Sequence, residues 1–211
     1  MTRVLIADDH EVVRRGLKDL LADEFKDLKV GEARDSREVL AAADKQGWDV
    51  VLLDINMPGR SGLETLEDLK RLHPKLPVLM LSAFPEEDYA LRSLKLGASG
   101  YLTKQSASEE LLAAIKKALA GGKYVTASLA EKMASSLGGK APPGEPHEGL
   151  SNRELQVLRL IASGRTIKEV ASELSLSEKT VGTYRARLSE KMGLSTNVEL
   201  TRYALQHRLV D

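Results

Sequence analysis

The 211-residue chain contains no cysteine, which excludes disulfide frameworks, thiolate zinc sites and thiol nucleophiles. No apolar run approaches the roughly 20 residues that a membrane-spanning helix needs. Met1-Thr2-Arg3 leads straight into an apolar segment with no secretory leader, so the expectation is a cytoplasmic protein without a membrane partner. Net charge is absent too, 31 basic side chains balancing 31 acidic ones. A glycine-rich nucleotide lid is missing, and His10, His73, His147 and His207 sit in unrelated contexts; a histidine kinase is thereby excluded.

The charge balance is uneven along the chain. Residues 1–122 carry 18 Lys+Arg against 21 Asp+Glu, whereas residues 151–211 carry 10 against 7. An acidic part followed by a basic one sets two parts of opposite sign along the chain, the basic one having the sign that suits a polyanionic partner. The length suits two domains.

Short aliphatic runs predict strands at 3–8, 28–33, 49–53, 76–81 and 99–102. Helical spacing predicts helices at 10–23, 36–46, 63–72, 87–96 and 108–120. Five βα units with short connections imply a parallel sheet covered on both faces, a doubly wound α/β domain with flavodoxin-like strand order. In such sheets ligands bind at the carboxyl ends of the strands. There the sequence sets Asp8-Asp9 after Val4-Leu5-Ile6-Ala7, Asp54 after Val50-Val51-Leu52-Leu53, and Lys104 after Gly100-Tyr101-Leu102-Thr103. Three crowded carboxylates repel one another unless a cation joins them, and an all-oxygen donor set suits Mg2+.

A short helix is expected at 126–137. Gly138–Gly149, with four glycines and three prolines, then reads as a linker. From Leu150 onward only helices are predicted, at 152–163, 167–173, 178–192 and 197–207. Ser151 with Glu154 has the spacing of a capping box, and Gly164 and Gly193 mark helix ends. The expected organisation is a doubly wound α/β domain at 1–122, a linker with a short helix at 123–149, and an all-α domain at 150–211.

With Ala7-Asp8-Asp9-His10, Asp54-Ile55-Asn56-Met57-Pro58-Gly59, Ser82-Ala83 and Gly100–Lys104 in place, residues 1–122 resemble the receiver domain of two-component response regulators. The string Leu150-Ser151-Asn152-Arg153-Glu154 through Leu176-Ser177-Glu178-Lys179-Thr180-Val181 to Lys191-Met192-Gly193 resembles the LuxR-type helix-turn-helix of the NarL/FixJ regulators. These resemblances imply that Asp54 accepts a phosphoryl group from a sensor histidine kinase. They imply that Asp8, Asp9, Asp54 and the backbone carbonyl of Asn56 hold Mg2+. Lys104 and the Ser82 hydroxyl would meet the phosphoryl oxygens, and Tyr101 would rotate with Ser82. They also imply double-stranded promoter DNA as partner and a homodimer on phosphorylation; the helix at 197–207, with Val198, Leu200, Tyr203 and Ala204, is a candidate dimer face.

The physical reading of 178–192 agrees. Val170, Ala171, Leu174, Leu176 and Val181 make an apolar seam, leaving an outer face with Lys179, Thr180, Thr183, Tyr184, Arg185 and Arg187 to meet DNA. Gly182 and Ala186, at mid-helix, offer no bidentate base contact, so base reading falls to Thr183, Arg185 or Arg187. That leaves one competing expectation, a protein-binding signalling module with weak or no specific DNA binding. A phosphatase using an Asp54 nucleophile is disfavoured, because the position two residues on, Asn56, has no proton to give a leaving group. No catalytic residue or enzyme turnover is expected beyond self-phosphorylation and slow autodephosphorylation. His10 is assigned no chemistry, Trp48 a packing role, and Arg159 and Arg165 a solvated one.

Overall fold

The computed structural model describes residues 1–58, 60–83, 86–138, 145–207 and 209–210. Gly59 beside the expected acceptor, residues 84–85 shortly after Ser82, residues 139–144 of the expected linker, Arg208 and Asp211 lie outside the described residues. The chain divides into two compact units, Met1–Gly138 and Gly139–Asp211. Among the described residues no helix is long and apolar enough to cross a membrane.

In the first unit, β1 (Thr2–Ala7), β2 (Leu28–Ala33), β3 (Val50–Asp54), β4 (Val78–Ser82) and β5 (Gly100–Thr103) alternate with α1 (Glu11–Glu24), α2 (Ser36–Lys45), α3 (Gly62–Leu72), α4 (Glu86–Lys95) and α5 (Ser108–Leu119). All strands are parallel, in the order β2-β1-β3-β4-β5. This is the doubly wound, flavodoxin-like order the sequence predicts. Val4, Ile6, Val50, Leu52, Leu79, Leu81 and Leu102 share one face with Leu21 of α1 and Leu111, Ala114, Ile115 and Ala118 of α5. The alternate residues Leu5, Val51, Leu53 and Met80 are buried on the other face, where α2 and α3 lie. Burial on both faces is why β3 and β4 read as unbroken apolar runs rather than alternating ones.

Trp48 has the packing role expected of it. Its ring lies over Gly31 of β2, so close that a Cβ on Gly31 would overlap it. Its indole N–H donates to the Ala42 carbonyl at 2.9 Å.

After α5, the chain stays on this unit. The Tyr124 amide donates to the Ser99 carbonyl at 2.7 Å, and the Tyr124 hydroxyl to Glu110 at 3.2 Å. Thr126 donates to the Glu86 carboxylate of α4 at 2.7 Å as α6 (Ala127–Gly138) begins, and Leu129 is buried. The segment read from sequence as the start of the linker is thus docked beside α4 and β5.

The second unit holds a 3-10 turn (Pro146–Gly149), α7 (Asn152–Ala162), α8 (Ile167–Glu173), α9 (Glu178–Met192) and α10 (Asn197–Gln206). Capping boxes start α7 (Ser151/Glu154), α8 (Thr166/Glu169) and α10 (Thr196/Glu199), and Ser177 caps α9. Gly193 closes α9 in the left-handed conformation at φ 66°, which glycine adopts without Cβ strain. Val170, Ala171, Leu174 and Val181 are buried where α8 crosses α9. Arg159 departs from expectation, since it is 6% exposed rather than solvated, and burial pushes its pKa down to about 10. Arg159 lies on α7, which is covered on nearly every side. Arg165 is exposed as expected.

Candidate functional site

The carboxyl ends of β1, β3, β4 and β5 bring the predicted phosphoryl residues together. Asp54 is the last residue of β3, Asp8 and Asp9 directly follow β1, Ser82 ends β4, and Lys104 follows β5. Parallel pairing in register (Ala7 with Leu53, Asp54 with Leu81, Ser82 with Thr103) levels these strand ends along one edge.

Lys104 Nζ lies 2.7 Å from Asp8 Oδ2 and 2.9 Å from Asp54 Oδ2. Asp54 Oδ1 accepts the Asn56 amide at 3.1 Å. Asp8 and Asp54 are each 1% exposed. Burial pushes the Asp54 carboxyl up to about 6, Lys104 opposing and the neighbouring Asp8 carboxylate adding. Burial works against the Lys104 charge as well, but Asp54 and Asp8 outweigh it and carry its pKa above the usual lysine value.

The backbone fixes this geometry. The Gly62 amide donates to the Ile55 carbonyl at 2.8 Å, folding the acceptor loop onto the start of α3. A Cβ on Gly62 would overlap the Asp54 carbonyl oxygen. Arg14, 2% exposed, donates from Nη1 to the Asp8 carbonyl at 2.8 Å and from Nε to Glu32 at 2.9 Å. Arg14 thus braces the acidic loop from α1, a role that needs the fold and leaves no pattern in the sequence.

His10 is a further addition. Its Nδ1 lies 2.8 Å from Asp9 Oδ1 and 3.1 Å from Asp8 Oδ1. One ligand atom each from Asp8, Asp9, His10 and Asp54 fit within 4.8 Å of one another. Asp8 Oδ2 and Asp9 Oδ1 are buried, and apart from Lys104 Nζ at 2.7 Å from the first and His10 Nδ1 at 2.8 Å from the second, no partner among the described residues reaches them. Buried carboxylate oxygens left in that condition, among hard oxygen donors, fit a divalent cation of the Mg2+ class.

Ser82 is fully buried, and its carbonyl accepts the Lys104 amide at 2.7 Å. Tyr101, on the adjacent strand, is 2% exposed. The three-residue span from Tyr101 to Lys104 therefore ties the packing of β5 to the acidic edge.

On the second unit, Lys179, Thr183 and Arg187 are exposed on α9, as are Gly182 and Ala186, while Thr180, Tyr184 and Arg185 are partly covered. Thr180 Oγ1 shares a hydrogen bond with Ser177 at 2.7 Å. Arg185 is engaged within the domain, donating to Asn197 Oδ1 at 2.8 and 3.0 Å and to the Ser195 carbonyl at 3.2 Å. The outer face thus offers Lys179, Thr183 and Arg187 directly, with Arg185 aligned by the start of α10. Of the expected dimer helix, Leu200 and Ala204 are buried in the domain core, while Val198 is 78% exposed.

Comparison with known proteins agrees with both units. The response regulator receiver domain family matches residues 4–116, and the luxR family of bacterial regulatory proteins matches residues 148–204. The response regulator GacA of Pseudomonas aeruginosa is 36% identical over 211 residues, covering all of this chain and 99% of that protein. The response regulator UvrY of Escherichia coli K12 is 36% identical over 212 residues, covering all of this chain and 97% of that protein. RcsB from Salmonella enterica serovar Typhimurium, solved on promoter rprA with the phosphomimetic BeF3-, superposes with a TM-score of 0.63 at 29% identity, over 96% of this chain and 97% of that one. The response regulator ChrA of a heme-sensing two-component system gives a TM-score of 0.51 at 31% identity, over 99% of this chain and 98% of that one.

Proposed function

We infer the chemistry of this chain from its membership of the response regulators, the family in which a receiver domain is joined to a LuxR-type DNA-binding domain. It is a phosphorylation-dependent transcription regulator with a histidine kinase and promoter DNA as partners. Asp54 is the proposed phosphoacceptor. The observation that carries this is the ion pair of Lys104 with Asp54 and Asp8 at the buried strand edge.

In the proposed step an Asp54 carboxylate oxygen attacks the phosphorus of a kinase phosphohistidine. The P–O bond forms as the P–N bond breaks, and the imidazole leaves with the bonding pair. Such a transfer depends on position and charge more than on covalent assistance. The backbone holds Asp54 at its strand end, the Asn56 amide orients one oxygen, and Lys104 stands ready to pair with the incoming phosphoryl oxygens. Asp8, Asp9, Asp54 and the Asn56 carbonyl would hold Mg2+, which when bound supplies positive charge to those oxygens. Asn56 offers no proton to a leaving group, which supports self-modification rather than turnover of phosphomonoesters.

The switch follows from the same contacts. A phosphoryl group takes Lys104 from Asp8, and the Ser82 hydroxyl reorients toward the new oxygens. Tyr101 repacks with it, and the altered α4–β5 surface controls dimerisation or exposure of the helix-turn-helix. On DNA, Lys179 and Thr180 fix the backbone while Thr183, Arg187 and Arg185 face the groove, Tyr184 flanking them. A cytoplasmic location goes with this reading. Incubating the protein with Mg2+ and a small-molecule phosphodonor tests it. Intact mass must rise by one phosphoryl group in the wild type and stay unchanged in Asp54→Ala.

A further inference from the structure

The second unit carries a cluster of metal-ligating side chains that the phosphoryl chemistry does not use. Glu145 and His147 stand at the last residues before α7, and His207 caps the end of α10. The fold closes these two ends of the unit onto each other. One ligand atom from each of Glu145, His147 and His207 lies within 4.8 Å of the other two. Glu145 Oε2 and His207 Nδ1 are 3.5 Å apart, and the His147 and His207 rings are 5.7 Å apart between centroids.

We propose that Glu145, His147 and His207 form a binding site for a zinc-class divalent transition metal, which staples the end of the interdomain linker to the C-terminus of α10. Two imidazoles and one carboxylate are the donors that Zn2+ selects, whereas Mg2+ and Ca2+ prefer all-oxygen sites. A tetrahedral Zn2+ with bonds of about 2.0–2.1 Å sets its ligand atoms about 3.3 Å apart, close to the distance already held by Glu145 and His207.

The surroundings supply the outer support that metal-bound histidines use. Tyr203 OH lies 2.9 Å from His147 Nδ1. In the tautomer that carries its proton on Nδ1, His147 donates to Tyr203 and Nε2 is the atom that meets the metal. Tyr203 also stacks on His207, ring centroids 4.1 Å apart and 28° from parallel. One tyrosine therefore orients both imidazoles. Three protein ligands leave a fourth position for water or a donor from another molecule. The site is independent of Asp54, so it stands or falls apart from the phosphoryl reading.

The test is a Zn2+ titration of the full chain by calorimetry, in excess Mg2+ to occupy the acidic edge of the receiver. It is run on the wild type, His147→Ala, His207→Ala, Glu145→Gln and Tyr203→Phe, with the fold of each checked by circular dichroism. The wild type should take up Zn2+, and Co2+ substituted for it should give the visible absorption of a tetrahedral centre. Losing an outer-shell partner costs metal affinity about 10–100-fold, so Tyr203→Phe should fall in that range and each ligand variant at or beyond it. Glu145→Gln, isosteric and close to the solvent, keeps the comparison if a histidine variant fails to fold. Wild type without Zn2+ uptake, or variants that bind Zn2+ as the wild type does, would overturn the proposal.

Discussion

Lys104 Nζ lies 2.9 Å from Asp54 Oδ2, joining the ends of β5 and β3 across fifty residues of sequence. The same nitrogen lies 2.7 Å from Asp8. One ammonium thus offsets two buried carboxylates, and the consequences of removing any of the three differ in sign.

Removing the ammonium leaves both carboxylates buried with no counter-charge. Lys104→Met should therefore destabilise the receiver by about 3 kcal/mol, the usual cost of breaking a buried pair from one side. Trp48 is the sole tryptophan and lies in this unit, so the urea midpoint of its fluorescence measures the effect.

Removing one carboxylate acts oppositely. Lys104 keeps Asp8, and the repulsion between Asp8 and Asp54 disappears. In metal-free buffer at pH 7, Asp54→Asn should stabilise the receiver by roughly 1–3 kcal/mol, since each pKa unit corresponds to about 1.4 kcal/mol. The native Asp54 pKa, about 6, exceeds the ordinary aspartate value of 3.8. Wild-type stability from this group is therefore fully present below the lower value and lost as pH rises through the higher one. The advantage of Asp54→Asn should fade as pH falls through that window, and denaturant midpoints against pH measure it.

Gly62→Ala would drive a Cβ into the Asp54 carbonyl oxygen. Backbone cannot yield as a side-chain tip does, so a loss of at least about 2–3 kcal/mol is expected. Phosphoryl uptake should fall with it, read as the labelled fraction from a phosphodonor. A variant labelled at the wild-type rate would contradict the geometry given to the acceptor loop.

Glu154 governs the other unit. It is 2% exposed, closes the Ser151 capping box and lies 2.7 Å from Lys191 Nζ. Burial raises its pKa, but the Lys191 and Ser151 hydrogen bonds prevail and hold it below the usual glutamate range. The stabilisation is present above the unfolded glutamate pKa and lost as pH falls through the lower native value. Circular dichroism melts of the helical unit should show this acid loss in wild type and its absence in Glu154→Ala, which starts about 2 kcal/mol less stable.

A Cβ on Gly182 would meet nothing within 4 Å, so Gly182→Ala should stabilise α9 by about 1 kcal/mol. Lys179→Ala should weaken DNA binding nearly uniformly across sequences and reduce the salt slope by about 1, as loss of a phosphate contact does. Binding isotherms at several salt concentrations separate this from a loss of base reading.

The fold was legible because doubly buried strands write unbroken apolar runs, and because Ser151/Glu154 and Gly193 mark helix ends in local sequence. The acidic edge was legible because Asp8, Asp9, Asp54 and Lys104 each follow such a run. Arg14, His10 and Arg159 were not. Their partners are remote in sequence or supplied by backbone, and a charged residue on an amphipathic helix carries no sign of whether a neighbour covers it. The docking of Tyr124 and Thr126 beside α4 was hidden likewise, since the paired Gly121-Gly122 reads as an end, and only the tertiary hydrogen bonds continue the unit to Gly138.

The most direct test of the central claim is selection of genomic DNA fragments at physiological salt by wild type and Asp54→Ala, each with Mg2+ and a phosphodonor. Enrichment of a two-fold symmetric motif by the phosphorylated wild type alone is the predicted result. Equal enrichment by Asp54→Ala would contradict control of DNA binding through Asp54.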